Sequence, residues 1–326
     1  MGSGSVRRDG EVVGIAVAVE GWSGYFPINH EGGGNMDRAL VLDWFEEVLN
    51  TTATKIFHNA MYDVSWIRSM GFYINGGIID TMIAASLVNE NRFRYTLDAV
   101  AKDYVGTGKH ERLLQEAAKD WGVDPKAEMW RLPAPFVGEY AEKDAEITLK
   151  LWGAMQHEIA KQDLWDVFNL ETNLFPCLVD MKFKGVRVDL DVAHALKEQL
   201  TKTEKEIHRD INKLVGFDLE IWAAASIAKA FDKLKLPYDR TEKGAPSFTK
   251  NFLATHPAEL PKLINNAREI NKANTTFIDT ILKHEYKGRI HADINQIRSD
   301  QGGTVTGRFS YSNPNLQQIP ARNKEL

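Results

Sequence analysis

The chain has 326 residues, 43% of them hydrophobic and 26% charged, a balance that calls for a large core and allows two domains. No apolar run approaches the roughly 20 residues of a bilayer span; Met1-Gly2-Ser3-Gly4-Ser5 has no apolar signal segment and reads as a flexible leader or an arbitrary boundary; and a single cysteine excludes an intrachain disulfide and suits the reducing cytosol. The net charge of −5 divides into −11 over residues 1–181 and +6 over residues 182–326, so the second part is the better surface for a polyanion.

Residues 12–19 form a β-branched run after the turn pair Asp9-Gly10, and residues 22–28 follow Gly21 as its hairpin partner. Beyond Gly32-Gly33-Gly34, the apolar residues Leu40, Leu42, Trp44, Phe45 and Val48 predict a helix over 36–49. Lys55-Ile56-Phe57-His58 reads as a strand, ended by Asn59 where a helix carrying Asp63, Trp66 and Ile67 begins. This alternation predicts an α/β domain. From about Pro133 the pattern is helical, over 136–161, 167–184, 191–214, 223–235 and 259–284, with a break at Gly185 and a polar Gly/Pro tip at 241–246. Cys177 lies in the apolar run 174–179 and reads as a core filler. Residues 289–295 alternate like one strand, and the last thirty are polar and not helical. The domain boundary is expected near residue 165.

Two motifs in the first domain carry carboxylates. His58-Asn59-Ala60-Met61-Tyr62-Asp63 places one at a strand end turning into a helix, and Tyr140-Ala141-Glu142-Lys143-Asp144 places a phenol and a carboxylate on one helix face. Two-metal phosphodiester hydrolysis needs carboxylates that hold hard cations roughly 3.5 to 4 Å apart and a group that orients the attacking water. Asp63 and Asp144 can be two of the ligands and Tyr140 the orienter.

The order, spacing and flanks of these motifs resemble the second and third motifs of DnaQ-like proofreading exonucleases, Asn-x-x-(Tyr/Phe)-Asp and Tyr-x-x-x-Asp. The stretches Ile79-Asp80-Thr81-Met82 and Thr96-Leu97-Asp98 look like the same domain in family-A polymerases. The resemblance implies catalytic Asp63, Tyr140 and Asp144, metal ligation by Asp63 and Asp144, and Asn59 and Tyr62 near the 3′-terminal nucleotides. The family's first motif, Asp-x-Glu on a central strand before the hairpin, is missing. Asp9-Gly10-Glu11 fits its letters but sits at the turn into Val12. The expectation is that the chain was cut just after the true motif, leaving the edges of residues 12–19 and 55–58 without a partner.

Thr306-Gly307-Arg308-Phe309-Ser310, followed by Asn313-Pro314-Asn315-Leu316-Gln317-Gln318-Ile319-Pro320, resembles a signature of family-A DNA polymerases of the bacterial DNA polymerase I type. Its Arg, Asn and Gln donors suit minor-groove acceptors that every correct base pair presents in similar places. Upstream, Lys184-Gly185-Val186-Arg187-Val188-Asp189 looks like the start of the polymerase domain, Arg268-Glu269 through Lys272 like the long thumb helix, and Gly288-Arg289-Ile290-His291 like the strand after it.

The resemblance therefore implies a ribonuclease H-like α/β exonuclease domain over 1–165, a central mixed sheet with helices whose first strand is missing. A mainly α-helical thumb and the beginning of an α+β palm would follow over 166–326. It implies a DNA-directed DNA polymerase with a 3′→5′ proofreading exonuclease, phage or bacterial and cytoplasmic. It also implies two divalent ions, Mg2+ or Mn2+, in the complete exonuclease site, and contact of Arg308, Asn315, Gln317 and Gln318 with primer-template duplex. The expected partners are that duplex and a single-stranded 3′ end, with dNTPs only in the complete enzyme; the protein is expected to be a monomer without membrane contact. The palm carboxylates and the fingers lysine of the family lie downstream of Leu326. The alternatives are a free-standing exonuclease resembling ribonuclease D, opposed by the 308–320 segment, and an inactive DNA-binding protein, favoured only by the missing first motif.

Overall fold

The structure, a computed structural model, describes residues 4–7, 9–108, 111–300 and 302–319. They form two compact units, one reaching to Gly185 and resuming over His291–Gln317, the other Val186–Ile290 with Gln318 and Ile319.

The first unit opens on a single turn, α1 (Gly4–Arg7), and an antiparallel hairpin, β1 (Gly14–Val19) and β2 (Trp22–Pro27), in register from Gly14 against Pro27 to Val19 against Trp22. Gly21 at φ 79° closes it, a conformation that a β-carbon would disfavour. In α2 (Arg38–Asn50) the Asp37 carboxylate accepts from Leu40 N, and Val41, Phe45 and Leu49 are buried at four-residue spacing. β3 (Lys55–Phe57) runs parallel to β4 (Ile78–Asp80), so the chain between them must cross over, and α3 (Ala60–Ser69) is that crossover. Helices α4 (Thr81–Val88), α5 (Leu97–Tyr104), α6 (Arg112–Trp121), α7 (Ala134–Lys161) and α8 (Trp165–Lys184) follow. Along α7, Ile147, Leu151, Met155 and Ile159 recur every fourth residue, fully buried against Ile83, Val88, Val100 and Phe168. Each such side chain contributes about 1.5–3 kcal/mol by leaving water.

The second unit is mainly helical. After β5 (Val186–Arg187), Asp189 caps α9 (Leu190–Val215) through Val192 N. Then come α10 (Ala224–Lys233), a short hairpin of β6 (Asp239–Arg240) and β7 (Pro246–Ser247), and α11 (Lys250–Thr255). The helix predicted over 259–284 is α12 (Glu259–Lys272) continuing through a π-helical stretch, Ala273–Ile278, into α13 (Asp279–His284). Ile207, Ile211 and Val215 of α9 pack with Phe231, Ile264 and Ala267 in the core of this unit. β8 (Glu285–Tyr286) and β9 (Arg289–Ile290) complete a sheet of order β5-β9-β8.

Returning to the first unit, β10 (Asp293–Asn295) pairs antiparallel with β11 (Ser310–Ser312). Here Lys182, its side chain 6% exposed, pairs with Asp293 at 3.0 Å. Desolvation offsets much of such a pair's attraction, so its value lies in fixing where β10 docks more than in net stability.

Two expectations are corrected by this packing. The strand expected over 289–295 is two strands in different sheets, because the chain changes units between Ile290 and His291. Cys177 is exposed, because Phe175, Leu178 and Val179 take the buried face of α8 and leave it on the other side. By packing, the first unit also takes in α8, whose Phe168, Phe175 and Val179 are buried in its apolar clusters.

Candidate functional site

The hairpin and the parallel pair do not join among the described residues. Between them opens a cleft of about 1720 Å³, lined by consecutive residues, 11–23 on one wall and 53–59 on the other. Side chains of a strand alternate between faces, so unbroken runs along a wall mean that β1 and β3 both present an edge to it. The free edges expected for these two strands are therefore there, and the mixed sheet is divided into an antiparallel and a parallel half.

Two carboxylates reach this cleft from opposite elements, Asp63 on the first turn of α3 and Asp144 on α7, both half-buried. Burial, and then the charge of Asp80, push the Asp63 carboxyl up to about 7. Asp80 itself is 5% exposed. Its Oδ1 accepts from Asn59 N at 2.9 Å and Met82 N at 2.8 Å, and its Oδ2 from Ala60 N at 2.8 Å. One buried carboxylate thus satisfies orphan donors at the starts of both α3 and α4. Burial raises its pKa, opposed by His58 and by these three donors. The turn needs a left-handed residue at position 59, φ 69° and ψ 55°, which asparagine adopts more readily than most. The sequence therefore places Asn where the strand must swing into the helix that carries Asp63.

Asn59, Tyr62, Asp63 and Asp144 all line the cleft. Tyr62 is 49% exposed and meets Trp66 edge-on. Tyr140 does not line it, and packs with Leu114, Leu132 and Val137 instead. Sharing a helix face with Asp144 does not bring Tyr140 to the cleft, since its ring is taken up by the cluster around Leu132. Glu11 lines the cleft, where it accepts from the Asn29 amide, whereas Asp9 does not line it. The hard oxygens of Asp63 and Asp144 suit divalent cations. Among the described residues, however, no three His, Cys, Asp or Glu side chains gather closely enough to hold a metal ion.

Sequence reading missed a polar network behind the turn. His58 Nε2 donates to Tyr95 O at 2.8 Å, and its Nδ1 lies 2.9 Å from Thr81 Oγ1. Thr81 Oγ1 also lies 3.0 Å from Phe57 O, to which it donates. The signal was the pair Asp80-Thr81, whose place in the pattern was legible although its partners were not.

Around β11 the four predicted duplex-contact residues, Arg308, Asn315, Gln317 and Gln318, are all exposed. Thr304 Oγ1 donates to Arg308 O at 2.8 Å, and Gln317 bonds Asn315 Oδ1 through its N–H at 3.0 Å and Phe309 O through its amide at 2.9 Å. The loop is folded by its own polar groups, leaving the Arg308 side chain on the surface.

Comparison with known proteins gives two family matches: "3'-5' exonuclease" over residues 4–160 and "DNA polymerase family A" over residues 190–326. A DNA-directed DNA polymerase of Pseudomonas phage M6 is 34% identical over 339 residues, covering 99% of this chain and 51% of the phage protein. DNA polymerase DpoZ of Salmonella phage PMBT28 is 32% identical, covering 98% and 54%. DNA polymerase I of Pseudomonas aeruginosa is 29% identical, covering 98% and 36%. The chain spans about half the length of the phage relatives. In fold it is similar to the POL domain of Pol1 from M. smegmatis, solved in complex with DNA primer-template and dNTP. The TM-score is 0.75 at 21% identity, covering 100% of this chain and 52% of that one.

Proposed function

Because the chain belongs to DNA polymerase family A and carries a 3′-5′ exonuclease domain, we propose that the cleft hydrolyses the 3′-terminal phosphodiester of single-stranded DNA while the 308–318 loop contacts primer-template duplex. The carrying observation is that Asp63 and Asp144, 81 residues apart in sequence, line one cleft from two elements. Asn59 and Tyr62 on the same wall would hold the terminal nucleotides. Asp63 and Asp144 would hold divalent ions, Mg2+ or Mn2+, whose charge would stabilise the phosphate oxygens and activate water. On this reading residues 1–165 are the exonuclease domain and 166–326 the first part of the polymerase domain, acting as a monomer in the cytoplasm of a bacterium or phage-infected cell. The full-length protein, incubated with a 5′-labelled single strand and magnesium or manganese, is expected to give a ladder of products shortened from the 3′ end. An undegraded label would remove the exonuclease assignment.

Tyr140→Phe separates the proposed orienting role from packing. If the hydroxyl orients water, degradation falls, though by less than when a carboxylate is removed. A rate equal to that of the unaltered protein means that Tyr140 serves only the cluster around Leu132.

For the loop, Arg308 would donate to minor-groove acceptors, joined by Asn315, Gln317 and Gln318, and the positive balance of residues 182–326 would add salt-dependent affinity for the duplex. A charged hydrogen bond is worth roughly 1.5–3 kcal/mol. Arg308→Ala in the full-length protein is therefore expected to slow primer extension roughly 10- to 150-fold with the thermal midpoint unchanged. Normal extension by that variant would end the assignment.

A further inference from the structure

Residues 291–300 lie within the family-A match, yet they pack into the first unit, and Asp300 among them lines the cleft. Ile297 joins the core beside Ile147 and Leu151. Gln296 Nε2 donates to Glu171 O at 2.6 Å, and Ser86 Oγ donates to Arg298 O at 2.7 Å. Asp300 goes further, since its carboxylate lines the cleft and both its oxygens accept from Tyr95 N at 2.9 Å.

Tyr95 is 1% exposed, and its hydroxyl is committed to Asn89 O at 2.8 Å. Its backbone joins two partners. The N–H faces Asp300, and the C=O accepts from His58 Nε2. His58 in turn meets Thr81, which donates to Phe57 O. The imidazole therefore stands immediately before the left-handed turn at Asn59, anchored on one side by β3 and on the other by a carboxylate 205 residues from Tyr95. Linked hydrogen bonds polarise one another, and a charged acceptor at one end strengthens the chain.

We propose that Asp300 is a positioning residue of the exonuclease cleft: through the Tyr95 backbone and His58 it fixes the turn that presents Asn59, Tyr62 and Asp63. This rests on the exonuclease reading of that cleft. It makes the hydrolytic site dependent on a residue of the polymerase-family segment, so the two family-defined parts of the chain share one structural element. Asp300 touches neither DNA nor the reacting phosphate in this scheme; it acts through the geometry of the turn.

The test uses the full-length protein with Asp300→Ala, Asp300→Asn and Ser86→Ala. Loss of an outer partner that orients a ligand-bearing element costs about 10- to 100-fold. Asp300→Ala is expected to lower kcat for 3′→5′ degradation of a 5′-labelled single strand about tenfold or more, with KM within about twofold. Asp300→Asn, which keeps one acceptor oxygen for Tyr95 N, is expected to recover part of that loss. Ser86→Ala removes another anchor of the same segment without touching Tyr95, and is expected to leave kcat near that of the unaltered protein. Equal losses in Asp300→Ala and Ser86→Ala would overturn the proposal, since docking of the segment alone would then matter. Amide exchange at Asn59 and Ala60 gives a reading independent of activity. It is expected to quicken in Asp300→Ala and not in Ser86→Ala, and unchanged exchange in Asp300→Ala refutes the relay whether or not DNA is degraded. An unaltered protein that leaves the strand intact, with exchange responding as expected, refutes the exonuclease reading and keeps the relay.

Discussion

Asp63→Ala and Asp144→Ala, each introduced into the full-length protein, are expected to lower 3′→5′ degradation of single-stranded DNA by roughly 10²–10³-fold or more, the loss that follows removal of one group stabilising transition-state charge. Both carboxylates line one cleft, on α3 and α7, and both are half-buried where water screens charge less than at the surface. Their hard oxygens are the donors a divalent ion would take from the described residues. Either substitution leaves one donor where the chemistry calls for several. Primer extension should be spared, because Arg308 and the loop around β11 do not line the cleft. The measurement is product length against time on a 5′-labelled strand, with extension of a primed template as the parallel assay. Degradation at an unchanged rate by Asp144→Ala would contradict the assignment, and equal loss of both activities would point to damaged folding.

What the sequence made legible follows from the range of the interactions involved. The hairpin, the helices α2, α7, α8, α9 and α10, and the long helix ending at His284 were readable because turn residues and apolar periodicity act within a few positions. The turn at Asn59 was readable for the same reason. Asp63 and Asp144 were found as a pair only because their motifs resemble a known family, since nothing local in either says that they share a cleft. Local rules misplaced Cys177, where a short apolar run concealed which side of α8 faces inward. They gave Tyr140 the surroundings of Asp144, when its ring packs in the cluster around Leu132. The contacts of His58 with Tyr95 and of Tyr95 with Asp300 span 37 and 205 residues. They depend on how whole elements pack, and no periodicity encodes them.

Asp63 also predicts how stability depends on pH. Its carboxyl is raised in the folded chain from the usual 3.8 to about 7, first by burial and then by the charge of Asp80. Below pH 3.8 both folded and unfolded chains hold the proton, and Asp63 contributes no difference. As pH rises from there the unfolded chain releases its proton while the folded chain retains it. Stability is lost at about 1.4 kcal/mol per pH unit, and the loss levels off above the folded value of about 7 at roughly 4 kcal/mol. Asp63→Asn removes the titration while keeping a similar shape. It is therefore expected to raise the thermal midpoint of the metal-free protein by several degrees at pH 8 and to leave it nearly unchanged at pH 4. His30 slopes the other way. Its Nδ1 donates to Leu132 O at 2.9 Å and its Nε2 accepts from the Tyr25 hydroxyl, while burial lowers its pKa. Its stabilising contribution is complete above the unfolded value of 6.5 and falls as pH drops toward the folded value. Both proteins carry His30, so that contribution cancels in the difference between their melting curves. On the proposed reading a divalent ion held by ionised Asp63 would offset the cost of burying its charge, so magnesium or manganese should raise the midpoint of the unaltered protein more at pH 8 than at pH 5. The same ions should raise that of Asp63→Asn less. Coincident midpoints for the two proteins at pH 4 and pH 8, without metal, would show that the Asp63 carboxyl is not held above its ordinary range.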